Sequence, residues 1–240
     1  MFKDKLVVIT GGSNGIGLCT AQEFKKAGAK VAVIDKTETS ENFDLFFKGD
    51  IAHESDLHAF VNEVINRFHK IDFLINNACI NRGGILSDCG YDDFVYVQKV
   101  GVVAPYMLTK LFSPYFNKGG AVVNISSTRA FQSQADTESY TAAKGGITAL
   151  THALAVSLSG KIRVNCISPG WIDTTNSDFS GSDNTQHPAG RVGKPTDIAH
   201  MIQFLCSDKA AFITGENINI DGGMSKLMIY HDDKGWKYEK

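Results

Sequence analysis

The residues from Lys5 to Asp35 constrain the fold more than any other part of this chain. Leu6, Val7, Val8 and Ile9 form a short apolar run of the kind that fills a buried parallel strand. The run leads directly into Thr10-Gly11-Gly12-Ser13-Asn14-Gly15-Ile16-Gly17. Glycines at 11, 15 and 17 permit a tight turn, let a pyrophosphate approach bare amides, and let the next helix pack against the strand. That helix carries Ile16, Cys19, Ala21, Phe24 and Ala27 on its inner side and stops at Gly28. Its free N-terminal amides, among them those near Ser13 and Asn14, and its dipole suit a diphosphate. Val31 to Ile34 read as a second strand. Asp35 ends it, where a carboxylate can accept hydrogen bonds from the two hydroxyls of an adenosine ribose.

Strand and helix signals keep alternating after Asp35. Candidate strands fall at 45–47, 71–75, 121–126, 161–167 and 217–220, with helical stretches near 53–69, 91–117, 137–159 and from Pro195 to about Cys206. This order predicts an α/β fold: three layers, doubly wound, with a mostly parallel seven-stranded sheet and helices on both faces. At 240 residues with 43% apolar side chains, and no linker or repeat, the chain reads as one domain. Its core spans about residues 5–223, and 224–240 form a C-terminal extension.

A net charge of −2 gives no footprint for nucleic acid or an anionic membrane. The apolar run after Lys5 is too short for a signal peptide or a membrane span. Five scattered cysteines without C-x-x-C spacing read as reduced, which points to the cytoplasm. The seven histidines show no ligand spacing, so no metal site is expected.

Asp50 and Ile51 lie where the third strand ends, at the edge where doubly wound sheets bind ligands. Asp50 could instead cap the helix that follows. The fourth strand runs into Asn76-Asn77-Ala78-Cys79. Side-chain amides there can bridge neighbouring strand ends. The fifth strand delivers Ser127 to the same edge. Thirteen residues further come Tyr140 and then Lys144, four apart and so on one helix face. The sixth strand leads to Ser168-Pro169-Gly170-Trp171-Ile172-Asp173-Thr174. The polar stretch from Thr175 to Gly190 reads as a mobile lid over a site, or as a plain surface loop.

The combination of Thr-Gly-x-x-x-Gly-x-Gly, Asn-Asn-Ala, Ser127, Tyr140-x-x-x-Lys144 and Pro169-Gly170 resembles the short-chain dehydrogenase/reductase family over about residues 5–223. The resemblance implies a Rossmann fold. It implies that Asp50 and Ile51 touch the adenine, that Asn77 and Ala78 lie beside the ribose, and that Pro169, Gly170, Ile172 and Thr174 hold the nicotinamide. It also implies that Ser127, Tyr140 and Lys144 are catalytic. The chemistry is consistent with those roles. A phenol titrates near pH 10, too high for a base at neutral pH, and a nearby ammonium favours the phenolate. Lys144 can also hold the nicotinamide ribose, and Ser127 can hydrogen-bond the substrate oxygen.

Two positions depart from the family pattern. Cys79 stands where the family has glycine. Gly101 stands where it has the asparagine whose backbone carbonyl holds a water in a proton relay from the lysine. Glycine keeps that carbonyl, and Gly101 followed by Pro105 predicts a local bend or bulge that frees it. The expected function is therefore hydride transfer between NAD(H) and a secondary alcohol or ketone. The alternative is an NAD-binding sensor or scaffold with weak catalysis. Asp35 repels a 2′-phosphate, so NAD is expected over NADP.

The substrate is a small molecule. Arg129 faces its pocket beside Phe131 and Trp171 and could hold a carboxylate or phosphate. Alternatively Arg129 pairs with a protein acid such as Asp136 or Glu138. The family is usually dimeric or tetrameric, built on the helices near 91–117 and 137–159, and a homodimer or homotetramer is expected. Ile147, Leu150, Leu154 and Leu158 would supply apolar surface there. The extension, with Met228, Ile229, Tyr230, Trp236 and Tyr238, either docks on a neighbouring subunit or folds on its own.

Overall fold

Strand β1 (Leu6–Thr10) is buried along its whole length at the centre of the sheet. In the computed structural model, which describes residues 2–235 and 237, it pairs in parallel with β2 (Lys30–Asp35) on one side. On the other side it pairs with β4 (Ile71–Asn76). Strand β3 (Leu45–Lys48) lies outside β2; β5 (Phe116–Ile125), β6 (Arg163–Pro169) and β7 (Asn217–Ile220) follow β4. All seven strands are parallel in the order β3-β2-β1-β4-β5-β6-β7. The chain reverses its direction of travel across the sheet between β1 and β4. That switch opens a crevice at the carboxyl ends of the strands.

Alternation along the strands sends side chains to two cores. Val7, Ile9, Val31, Val33 and Ile75 pack with α1 (Gly15–Lys26) and with Ile198, Ile202 and Leu205 of a later helix. Val8, Ile34, Leu74 and Val122 pack with Leu57, Phe60 and Val64 of α2 (Glu54–Phe68) and with Leu108 and Phe112. Both sheet faces are thus covered, which suits the continuous apolar runs of the central strands.

The stretch expected as one long helix over 91–117 is broken. It comprises α3 (Tyr91–Gln98), a π-helical turn (Lys99–Val103), α4 (Ala104–Phe112) and a 3₁₀ turn (Ser113–Tyr115). Strand β5 already begins at Phe116. Two prolines account for this. Pro105 has no N–H for the carbonyl four residues earlier, which belongs to Gly101, so the ladder shifts register there. Pro114 ends the helix in the same way. Helix α5 (Glu138–Ser157) is unbroken and presses its small residues onto the π turn. A Cβ at Gly101 would stand 2.7 Å from the Ala143 Cβ, and one at Gly146 would stand 2.9 Å from Val102. Of the α5 residues expected at a subunit surface, Ile147 is buried, and Leu154 packs on the core, as does Leu158 just beyond the helix. The large apolar side chains left exposed on these helices are Tyr91, Phe94, Val103, Tyr106 and Val156.

The segment expected as a lid contains a short helix α6 (Ser182–Thr185) and leads to α7 (Pro195–Cys206). Asp197 fastens the end of the connection between them to the first turn of α7. Its carboxylate accepts from the Arg191 guanidinium at 2.7 and 2.8 Å and from the Lys194 amide at 2.7 Å. The Arg191 bond chiefly holds this carboxyl below its ordinary range. Asp197→Ala should cost about 1–2 kcal/mol at neutral pH, the usual value of a lost N-terminal cap. A carboxyl depressed in the folded state contributes fully above the unfolded pKa of about 3.9 and fades as pH falls through the folded value. Urea denaturation should therefore separate variant and wild type at neutral pH and bring them together in acid; coincident curves at neutral pH would refute the assignment. Among the described residues no helix is long and apolar enough to cross a membrane.

Candidate active site

The first part of the site is a cleft of about 430 Å³ over the β1–β4 switch, lined by Gly11, Asn14, Gly15, Ile16, Asp35, Asp50, Ile51, Asn77, Ala78 and Thr174. The turn before α1 takes the shape its glycines allow. Gly11 and Gly15 have φ of +68° and +54°, in the left-handed region that disfavours a side chain. A Cβ on Gly17 would fall on the Gly11 carbonyl oxygen. Gly17 therefore shapes the turn from behind instead of lining the cleft. Asn14 caps α1 without a side-chain bond, and the first turn has no acid, so its amides remain available to an anion.

Asn77 fixes this turn from the neighbouring strand. Its Nδ2 donates to the carbonyls of Thr10 at 3.0 Å and Gly11 at 2.9 Å. Asp35 is braced by the Ser13 amide at 2.9 Å and the Thr37 amide at 2.9 Å. Ser13 thus positions the acid. Asp50 does not cap a helix: α2 starts at Glu54 with His53 as its cap. Instead Asp50 accepts from the Ala52 amide at 2.9 Å and the Tyr96 hydroxyl at 2.8 Å, and it pairs with Lys36 at 3.1 Å. Burial alone would raise its pKa, but these three donors hold the carboxyl below the usual range. Lys36 also donates to the Tyr96 hydroxyl at 2.7 Å, and its ammonium is held above its ordinary pKa, first by Tyr96 and then by Asp50. Tyr96 escaped the sequence reading, and Lys36, which could have offset the charge of Asp35, is held by Tyr96 and Asp50 instead.

The second part is a cavity of about 710 Å³. Ser127, Arg129 and Tyr140 line it together with Gly170, Trp171 and Ile172. The segment 170–174 divides the two spaces, because Thr174 faces the cleft while residues 170–172 face the cavity. Pro169 ends β6 beneath this segment and is fully enclosed. Ser127 caps a 3₁₀ turn (Thr128–Ala130), its oxygen accepting from the Arg129 amide at 3.1 Å. One helical turn separates Tyr140 and Lys144 on α5. The Lys144 ammonium lies 5.3 Å from the Tyr140 ring centroid. Its side chain is buried, and Nζ donates to the Ile125 carbonyl at 2.7 Å. The strand that delivers Ser127 therefore also anchors the lysine.

Two substrate-side expectations need correction. Phe131 does not line the cavity; the turn closed by its amide on the Thr128 carbonyl at 3.0 Å leaves its ring 63% exposed. Arg129 does face the cavity, but it does not pair with Asp136 or Glu138. Asp136 accepts from the Leu86 amide at 3.0 Å and Glu138 from the Ile85 amide at 3.2 Å. The guanidinium bonds instead to the Gln134 amide oxygen and lies 5.9 Å from the Tyr140 ring centroid. Gln132, Gln186 and Met224 also line the cavity and were missed. Met224 opens the C-terminal extension, so that segment borders the site of its own chain. Beyond it Met228 and Tyr230 are exposed, while Trp236 and Tyr238 lie outside the described residues.

A family model described as enoyl-(acyl carrier protein) reductase matches residues 11–225. An uncharacterised oxidoreductase of Thermotoga maritima is 41% identical across 97% of this chain and 100% of that protein. The solved structure of an apo SCOR enzyme from Clostridium thermocellum has a TM-score of 0.92 at 45% identity, covering 99% of both chains. A 3-ketoacyl-(acyl-carrier-protein) reductase from Brucella melitensis, complexed with NADH, has a TM-score of 0.84 at 32% identity and covers 93% of this chain and 99% of its own. A blue fluorescent protein from a metagenomic library, complexed with NADPH, has a TM-score of 0.85 at 26% identity over 93% and 98%. The fold and these likenesses together define a nicotinamide-nucleotide oxidoreductase class. Within it, this chain belongs to the short-chain dehydrogenase/reductase family.

Proposed function

We propose that the chain is an NAD-dependent dehydrogenase or reductase that interconverts a secondary alcohol and a ketone. The observation that carries this reading is the meeting of Ser127 and Tyr140 at a cavity, with buried Lys144 beside the tyrosine ring, next to an anion-receptive helix start. The cleft fits a dinucleotide: the uncapped first turn of α1 lies at one end, and a braced carboxylate stands where an adenosine ribose would lie. Bound there, the cofactor would supply the hydride acceptor or donor. The protein's part is proton transfer and orientation. Tyr140 takes the alcohol proton during oxidation and returns it during reduction. Ser127 hydrogen-bonds the substrate oxygen, and the Lys144 ammonium stands 5.3 Å from the Tyr140 ring centroid. Pro105 leaves the Gly101 carbonyl without its helical donor, which keeps it available for the relay water.

Asp35 supports NAD over NADP. The 2′-phosphate would meet a carboxylate, and Lys36, the nearest cation in sequence, is already held by Asp50 and Tyr96. Like-charge juxtaposition costs several kcal/mol, so kcat/KM should favour NAD by at least about 100-fold. Asp35→Ala should narrow that ratio; a wild-type preference for NADP would overturn the assignment. The apolar side chains exposed on α3, α4 and α5 support a homodimer or homotetramer, the free cysteines support the cytoplasm, and the one seven-stranded sheet supports a single domain. The function as a whole is tested by NADH absorbance over a broad panel of alcohols and ketones.

Gly101 favours one other reading, a nucleotide sensor with little catalysis. It predicts tight NADH binding with no turnover across the same panel.

A further inference from the structure

We propose that the substrate carries a carboxylate, which Arg129 binds, so that the alcohol is a hydroxy acid and its oxidised form a keto acid. This rests on the dehydrogenase reading and specifies its substrate class. Among the described residues, Arg129 is the only charged side chain lining the cavity that holds Ser127 and Tyr140. Its protein partner is neutral, the amide oxygen of Gln134. The two acids close to it in sequence are turned onto the 83–87 loop, where Asp136 also accepts from the Ser87 hydroxyl at 3.1 Å and Glu138 from the Ile85 amide. A guanidinium left without a counter-charge in a partly enclosed space favours an anionic ligand. Its planar fork matches a carboxylate with two parallel hydrogen bonds. One guanidinium balances one negative charge, and among the described residues no second cation lines the cavity to meet a phosphate dianion.

The geometry suits a short molecule. The guanidinium lies 5.9 Å from the Tyr140 ring centroid, so the carbinol can meet the phenol while the carboxylate reaches the arginine within the same cavity. Gln132 and Gln186 offer amides for further polar groups. In the oxidation the carbinol carbon gives its hydride to NAD⁺ and its oxygen gives a proton to Tyr140. The C–O bond becomes a carbonyl, and the carboxylate keeps its charge throughout. Arg129 is therefore a positioning and specificity residue for the anion, and its loss should appear mainly in KM.

The test compares short aliphatic hydroxy acids with their methyl esters and with neutral polyols, in wild type and in Arg129→Gln and Arg129→Lys. Wild type should prefer acid over ester by about 100-fold in kcat/KM, as expected of a charge-assisted pair. Arg129→Gln should collapse that ratio toward one, and Arg129→Lys should restore part of it. Esters or polyols used as well as acids, or a ratio that survives Arg129→Gln, would overturn the proposal while leaving the dehydrogenase reading intact. A second measurement does not depend on turnover: thermal denaturation of the NADH complex with butyrate or butyramide. Butyrate should raise the midpoint more than butyramide, and only when Arg129 is present. No turnover by any compound, together with Arg129-dependent butyrate binding, would sink the dehydrogenase reading and keep the anion site. Equal effects of butyrate and butyramide would sink the anion site.

Discussion

Tyr140→Phe should lower turnover by about 10²–10⁴-fold, the usual worth of a positioned general acid or base, while the protein still binds NADH. The expectation follows from what else surrounds the substrate oxygen. Lys144 is buried, with its ammonium on the Ile125 carbonyl. The Arg129 guanidinium offers only donors and has no acceptor for a proton. The Ser127 oxygen accepts a backbone bond from Arg129 and is too weakly acidic or basic to replace a phenolate. Only the phenol of Tyr140 can both receive and return the proton. Phenylalanine keeps the ring that lies beside Lys144 and Arg129, so the packing of α5 survives. The cleft that would hold the nucleotide is lined mostly by the turn before α1 and by the segments that follow β2, β3 and β4, and Tyr140 is not part of that lining. Steady-state kinetics and NADH fluorescence titration read the two quantities separately. A phenylalanine variant that keeps a tenth of its turnover would remove Tyr140 from the chemistry. The same experiment separates enzyme from sensor, because a sensor has no turnover to lose.

Where the sequence reading succeeded, the determinants were local. The turn at 10–17 was legible because strand, glycines and helix follow one another without a break, and the positive φ values of Gly11 and Gly15 are what that spacing demands. The π turn was legible because a proline's missing N–H is a covalent fact that acts four residues away. What stayed hidden was set by contacts distant along the chain. Tyr96 reaches Asp50 across 46 residues, and no local pattern marks it as part of the cleft. Met224 and Gln186 enter the cavity only because the 175–190 segment and the C-terminal extension fold toward it. Phe131 was misplaced by counting from Ser127, since a 3₁₀ turn reorients every side chain that follows. Arg129 was placed correctly in the cavity, but its partner depended on where the 83–87 loop had drawn the nearby acids.

Gly101→Asn should lower turnover by about 10–100-fold even though it introduces the family's usual residue. The side chain has no room. Its Cβ would stand 2.7 Å from the Cβ of Ala143, the residue before Lys144. Overpacking of this kind typically costs about 1–3 kcal/mol. The strain falls on α5, which carries Tyr140 and Lys144, and a displacement near 1 Å in a reacting group can cost about 10²-fold in rate. Glycine at 101 and the close approach of α5 are thus two sides of one arrangement: the helix sits where an asparagine's Cβ would be, and the relay keeps the backbone carbonyl. A second substitution makes the argument decisive. Ala143→Gly removes the opposing methyl, so the double variant should regain turnover near that of wild type, with a coupling between the two sites that neither single change shows. A gain of about 100-fold in either asparagine variant, roughly 2.7 kcal/mol of barrier, would mean that the missing amide had been limiting the chain all along. The carbonyl at Gly101 would then be no substitute for it.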